Sequence, residues 1–349
     1  MTKGMLQRLC LGFALALLLS MASRAEVVRD LYAAQVPVTD RSSKALASAA
    51  RDALAQVLVK VSGSEDALRN PVVREALPGA RGHVQQYSFV RGEGPESGLF
   101  AKFEFEASYI TGLVGRAGLP LWTANRPLVL VWAAVERDGV RQLVSLDTTP
   151  QVASELLEEF GRRGVPAQLP LFDLADASAI AVDDVWNLDG SAVVAASARY
   201  DVDDILFGRV VALSTGEWAG DWSYVNQRDR LDRTSQVPES QLFARDGANL
   251  VAESMAARYA VASSGGGESL VPMTVTGVGD FADYAAIVAW LEGLELIDHA
   301  NVQRISGDYM ELGLVTQADP AQLASIIELN DRLTPQGAVS GQLDYLWQN

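Results

Sequence analysis

The sequence predicts a mixed α+β and α/β fold in three modules, the last of them ferredoxin-like, and three observations carry that reading. Leu128 to Val135 is an unbroken apolar run of strand length, set between Pro127 and the turn pair Asp138-Gly139. With no alternating polar residues, it fits a strand covered on both faces at the centre of a sheet. Strand-like and helix-like periodicities alternate on either side of it, as expected of a sheet with helices packed on it. Ser263 to Ser269, SSGGGES, has the composition of a linker and precedes a segment with the order βαββαβ, the split βαβ pattern. With 349 residues the chain exceeds one ordinary core. The expected division is a leader at 1–25, an α+β module at 26–120, a middle α/β module at 121–262, the linker at 263–269 and a ferredoxin-like module at 270–349.

The leader has the three parts of a secretory signal. Lys3 and Arg8 form a positive region, Leu9 to Met21 an apolar stretch, and Ser23-Arg24-Ala25 places small residues before a cleavage site between Ala25 and Glu26. The apolar stretch is shorter than the ~20 residues a membrane span needs, and no later segment approaches that length. The mature chain is therefore expected in the periplasm, with no transmembrane segment. Cys10, inside the leader, is the only cysteine, so the mature chain has no thiol for a disulfide, a nucleophile or a metal. Charge excludes more. The formal net charge is −16; residues 26–118 hold 11 basic and 11 acidic groups, residues 119–262 hold 12 and 21, and residues 263–349 hold 2 and 12. An acidic surface opposes nucleic acid and anionic lipid alike.

Element by element, Val27 to Val36 reads as a strand ended by Pro37, and Asp40 to Ser43 supplies helix-starting oxygens. Leu46, Ala50, Ala53, Leu54, Val57, Leu58 and Val61 then recur at helical spacing up to Gly63, a residue suited to a left-handed C-cap. Asn70-Pro71 opens a second helix. Tyr87 to Arg91 and Leu99 to Ala107 read as a hairpin around Gly92–Gly98, and Tyr109 to Arg116 as a helix. After the connector Leu119 to Trp122 comes the central strand, with Gln142 to Leu146 as its return. Thr149-Pro150 starts a helix to Phe160, and Gly164 to Leu171 reads as a short strand. Helical patterns follow Asp183-Asp184 and Ser191. Ile205 to Leu213, Trp218 to Val225 and Leu231 to Gln236 read as strands, and Pro238 opens a helix to Tyr259. In the last module Val271 to Val278 is a strand, and Asp280 caps a helix ended by Gly293. Leu296 to Ile305 and Tyr309 to Thr316 form a hairpin, Asp319-Pro320 starts a helix to Asn330, and Leu343 to Trp347 is a final strand.

Three segments carry a resemblance: Ala53-Leu54-x-x-Val57-Leu58-x-Lys60-Val61-Ser62-Gly63, then Gly118-Leu119-Pro120-Leu121-Trp122-x-x-x-Arg126-Pro127, and the strand directly after it. Together they resemble a secreted gammaproteobacterial family catalogued as domain of unknown function 2066, over most of the mature chain. The resemblance implies an envelope protein and brings no catalytic residues. Tyr200 to Gly208, YDVDDILFG, is similar to the helix-into-strand segment of accessory domains in envelope assembly proteins, such as flagellar-ring proteins and peptidoglycan-synthase activators.

Few residues invite chemistry. Asp201, Asp203 and Asp204, with Asp183 and Asp184, offer hard oxygen ligands for Ca²⁺, but Leu206 and Ala212 stand where an EF-hand loop needs glycine and glutamate; a polar turn before a strand is the simpler reading. Trp218, Trp222 and Tyr224 share one face of a strand, where they would either stack on sugar rings or form a buried core. His83 and His299, the only histidines, fall in different modules, and neither a Gly-x-Ser-x-Gly elbow nor a His-Glu-x-x-His helix is present. Gly265 to Gly267 lacks the lysine of a phosphate loop. Glu104 and Glu106 alternate with Lys102 as a solvated strand face. The expectation is a non-catalytic periplasmic protein without metal or cofactor that binds other cell-envelope proteins. The alternatives are a glycan-binding module using the Trp218, Trp222 and Tyr224 face, and a carboxylate-dependent hydrolase.

Overall fold

In a computed structural model the described residues are 26–92, 98–262, 269–316, 318–329, 332–336 and 343–348. The leader with its cleavage site after Ala25, Cys10, the tip of the first hairpin and the linker up to residue 268 lie outside them.

Among the described residues the fold is mixed α and β, with ten α-helices and three main sheets. The first part of the chain contains β1 (Glu26–Val27), β2 (Ala33–Val38), α1 (Ser43–Ser62), α2 (Pro71–Ala76), β3 (Val84–Arg91), β4 (Leu99–Phe105) and α3 (Ala107–Arg116). Strands β2, β4 and β3 form an antiparallel sheet in that order. Its inner face, including Val36, Ala101, Phe103 and Phe105, packs on Leu54, Val57, Leu58 and Val61 of α1. Ser42 caps α1, accepting from the Ala45 N–H, and Gly63 closes it at φ +76°. The expected strand from Val27 to Val36 is instead two strands with a turn between them, because β1 and β2 pair with different partners. Pro37 lies within β2 rather than after it, as an edge strand permits.

The connector holds β5 (Pro120–Leu121) and β6 (Asn125–Arg126), followed by β7 (Val129–Arg137), β8 (Val140–Leu143), α4 (Pro150–Arg163), β9 (Ala167–Gln168), α5 (Leu174–Ala179), α6 (Val182–Trp186) and α7 (Gly190–Ser197). Then come β10 (Asp204–Ala212), β11 (Trp218–Val225), β12 (Arg230–Val237), α8 (Ser240–Tyr259) and β13 (Val261–Ala262). The sheet order is β12-β11-β10-β7-β8, with β9 beside β7. Strands β7 and β10 run parallel. Residues 129–135 of β7 are all buried. Val129, Val131, Ala133 and Val135 face α4 and α8, while Leu130, Trp132 and Ala134 face α6 and α7. The unbroken apolar run thus comes from cover on both faces.

The last part contains β14 (Ser269–Thr276), α9 (Phe281–Glu292), β15 (Ile297–Ser306), β16 (Tyr309–Thr316), α10 (Pro320–Ile327), β17 (Leu333–Pro335) and β18 (Leu343–Trp347). Its sheet has the order β15-β16-β14-β18-β17, with β14 and β18 parallel. Strand β17 is an addition to the expected order. No helix among the described residues is long and apolar enough to cross a membrane.

Candidate functional site

Two constellations of charged groups stand out, one sealed inside the molecule and one holding apolar side chains at its surface. The first is built on the connector between the first and second sheets. Strand β6 pairs with β1, and β5 with β13, so the segment is held from both ends of the chain that flanks it. The Arg126 side chain is 0% exposed. Its Nε donates to Thr123 O at 2.8 Å, Nη1 to Arg163 O at 3.1 Å and Gly164 O at 2.8 Å, and Nη2 to Lys60 O and Trp122 O, both at 2.9 Å. Guanidinium has five N–H donors, and here all five meet backbone carbonyls. The plane also stacks on the Trp122 ring at 3.7 Å.

Two further cations follow the same pattern. Lys60 Nζ donates to Asp30 O and Ala33 O at 3.1 and 2.8 Å. Arg163 donates to Gly63 O at 2.7 Å and to Asn249 Oδ1 at 2.9 Å. Burial, aided by the Arg126 charge, pulls the Lys60 ammonium down to about 8, and burial takes Arg126 down to about 9 against the favourable charge of Glu295. Glu295, whose carboxyl is pushed up by burial, accepts the Ala124 N–H at 3.1 and 3.2 Å. Asn125 Nδ2 donates to Ile326 O at 3.3 Å. Helices and loops packed on all three main sheets therefore converge on residues 120–126. The space is filled: a Cβ on Gly164 would lie 2.5 Å from Lys60 Cγ and 2.9 Å from Arg126 Nη1. This is an internal clamp.

The second constellation is a knuckle between β9 and α7. Phe172 has φ +54°, a left-handed conformation costing a non-glycine residue roughly 1–2 kcal/mol. Two contacts hold it there. Its ring packs edge-on against buried Trp132 at 5.8 Å, and its N–H donates to Asp176 Oδ2 at 2.8 Å. Asp176 is the only buried residue of α5, at 1% exposure. Its carboxylate also accepts the Tyr200 hydroxyl at 2.6 Å and Arg199 Nη1 at 3.0 Å. The Tyr200 oxygen in turn accepts the Leu171 N–H at 2.8 Å. Burial, then the bond to Asp176, push the Tyr200 phenol up to about 12, so it stays a donor. Arg199 grips both oxygens of Asp173 at 2.6 and 2.9 Å; those bonds hold the Asp173 carboxyl well below the usual carboxylate range. Asp173 also caps α5. What this bracing holds outward is Leu171, 72% exposed, and Leu174, 84% exposed.

The residues singled out by sequence lie elsewhere. Trp222 and Tyr224 face α8, and both are buried. Trp222 Nε1 donates to Phe243 O at 2.9 Å, and its ring stacks on Phe243 at 4.7 Å. Cβ atoms on Gly208 and Gly247 would lie 2.3 and 2.7 Å from the indole, so two glycines form its slot. The Tyr224 hydroxyl bonds the buried Asp204, with Arg258 beside both. Trp218 is half-buried at the rim, 5.5 Å from the Arg137 guanidinium. Two of the three rings are core, which corrects the glycan-face reading: α8 covers Trp222 and Tyr224 and leaves only Trp218 at the rim.

The aspartates do not gather either. Asp183 pairs with Arg141 at 3.2 Å, and Asp184 accepts the Ala181 N–H in its own helix. Among the described residues no group of three His, Cys, Asp or Glu side chains is placed to hold a metal. His83 stacks on Tyr109 at 3.5 Å, His299 is exposed, and Glu104 and Glu106 point to solvent. A shallow hollow of about 390 Å³ lies on the last sheet, lined by Thr274, Thr276, Tyr309, Gln336, Asp344 and Tyr345.

Comparison with known families corrects the expected kinship. The family matched is a domain of unknown function, DUF8605, over residues 25–123, and not domain of unknown function 2066. The match spans the first sheet and the start of the connector, not most of the mature chain. The segments behind the earlier resemblance are a helix end and a connector, whose glycines and apolar spacing express packing and so distinguish families poorly. No curated protein matches the chain.

Proposed function

We propose that this protein is a periplasmic, non-catalytic component of the cell envelope that acts by binding other envelope proteins. The observation that carries the proposal is the knuckle. A left-handed Phe172 and a buried Asp176 are costly features, and their joint effect is to keep Leu171 and Leu174 in water. Exposed apolar groups on a rigid support gain free energy when a partner covers them, and little ordering is left for binding to supply. The leader sequence supports export, and the family match starts at residue 25, beside the expected cleavage point. Four separate apolar clusters support a division into modules at 26–120, 121–262 and 270–349, the middle one two-sided about β7. The order β15-β16-β14-β18 supports a ferredoxin-like reading of the last module, while the parallel pairing of β14 with β18 and the added β17 depart from that pattern's antiparallel sheet.

The test is crosslinked capture of the mature chain from periplasm, read by mass spectrometry beside cell fractionation. One or more envelope proteins recovered in replicate is the expected result. Full-length protein in the cytosol with its leader attached, or no reproducible partner, would end the proposal.

A further inference from the structure

From the same knuckle we infer the kind of partner: a protein surface that offers an apolar pocket ringed by lysine and arginine. The inference rests on the binding role proposed above and adds the chemistry of the site. Residues 171–204, which include the knuckle and helices α5, α6 and α7, contain eight aspartates and a single basic residue, Arg199. That arginine is paired at the surface, gripping Asp173 and touching the buried Asp176, so its charge is offset within the knuckle. Asp176 and Asp204 are buried, and Asp173 and Asp183 are paired with Arg199 and Arg141; Asp184, Asp189, Asp201 and Asp203 leave the layer a net negative surface, with two leucines standing on it. Asp201 and Asp203 are exposed and directly follow Tyr200, whose oxygen is bonded to the Leu171 backbone.

The two features select different properties of the partner. Leu171 and Leu174 gain only from a pocket that removes them from water. The aspartates gain only from positive charge around that pocket, which speeds encounter and rejects acidic surfaces. An anionic bilayer meets the apolar requirement but repels the acidic one, so a basic protein surface satisfies both. The bracing adds to this. The bonds of Asp173, Asp176, Arg199 and Tyr200 fix the backbone of residues 171–176 before any partner arrives, so little ordering is left for binding to supply.

The test replaces Leu171 by the photocrosslinking residue p-benzoylphenylalanine in the full chain and irradiates cells. The expected product joins this position to a partner peptide within a Lys/Arg-rich surface. With that partner purified, affinity is measured at low and high salt for wild type, Leu171→Ser/Leu174→Ser and Asp201→Asn/Asp203→Asn. The leucine variant should bind about thirtyfold more weakly, from the apolar area no longer removed from water. The aspartate variant should associate about threefold more slowly, with a flatter salt dependence. Thermal melts identical to wild type show that both variants fold. A crosslinked peptide from an acidic surface, binding indifferent to salt, or binding by the leucine variant within twofold of wild type would each overturn the inference. So would sedimentation with phosphatidylethanolamine/phosphatidylglycerol vesicles in place of a protein crosslink. In those cases a partner captured through another surface leaves the binding role standing. No crosslink together with no captured protein overturns both.

Discussion

The Arg126 clamp and the Leu171–Leu174 knuckle spend charged groups in opposite ways. At the clamp, three buried cations are satisfied largely by backbone carbonyls from α1, the connector and the turn after α4, so charge serves to join pieces of chain. At the knuckle, carboxylates and an arginine satisfy one another and a few backbone N–H groups, and the side chains left over are apolar and face water. At Arg126 all five donors are used and the space around them is filled, so the guanidinium has nothing left to offer a ligand. Geometry that maintains an unfavourable exposure has its favourable partner elsewhere. Burial and perturbed protonation alone would have pointed to the clamp; the direction of the leftover surface points to the knuckle.

Substitutions can break this contrast, and the largest effect is expected at the clamp. Arg126→Met removes five hydrogen bonds and leaves their carbonyls in a dry site, so urea unfolding should show a loss of about 3–5 kcal/mol. An unfolding free energy within 1 kcal/mol of wild type would mean that the clamp is incidental. Gly63→Ala comes next. It forces a Cβ into the left-handed region at φ +76° and within 2.2 Å of Ala256 Cβ on α8; strain and overpacking together predict about 2–4 kcal/mol.

Asp176→Asn tests the knuckle's bracing. The carboxylate is the shared acceptor of Phe172 N–H, Tyr200 O–H and Arg199, and an amide there turns one bond into an opposed pair of donors. A loss of about 2–3 kcal/mol is expected, with faster hydrogen exchange at the Phe172 and Leu171 amides. Unchanged exchange would detach the bracing from the exposure of the leucines.

A change of pH sharpens the comparison further. Burial holds Lys60 near 8, below its ordinary 10.5, so between those values the folded chain binds fewer protons than the unfolded one. Stability should then rise with pH, by about 1–2 kcal/mol from pH 7 to 9.5, with Arg126 acting in the same sense. Above pH 10 the gain reverses, because Tyr32, Tyr224 and Tyr345, raised by burial, keep protons that unfolded tyrosines lose. Lys60→Met should flatten the rise. The smallest effect on folding belongs to Leu171→Ser/Leu174→Ser, within about 0.5 kcal/mol because both side chains are already in water. A larger loss in calorimetry would show that they support the fold.

Much of the fold was legible because local rules governed it. Ser42, Gly63, Thr149-Pro150, Asp280 and Asp319-Pro320 mark helix ends by side-chain chemistry, and β7 shows its two-sided burial in its composition. At the knuckle the sequence pattern points instead to the end of a short strand. Only β9 forms there, and nothing local announces α5, since five of its six residues face solvent and no apolar periodicity marks it. The available signal was Pro170-Leu171-Phe172-Asp173: apolar residues after a proline, then a capping aspartate. Trp218, Trp222 and Tyr224 were correctly placed on one strand face, but which face would be covered depended on α8, with Gly247 twenty-five positions beyond Trp222.

Local chemistry written into the chain was enough to determine most of the longer strands, the capped helix starts, the acidic balance and the doubly covered β7. Tertiary structure alone decided which rings are hidden, where Arg126 finds five carbonyls and which leucines are left outside. Caps and periodicities act within a few residues, whereas burial and hydrogen-bond saturation depend on partners such as Lys60, Gly164 and Tyr200, brought together only by the completed fold.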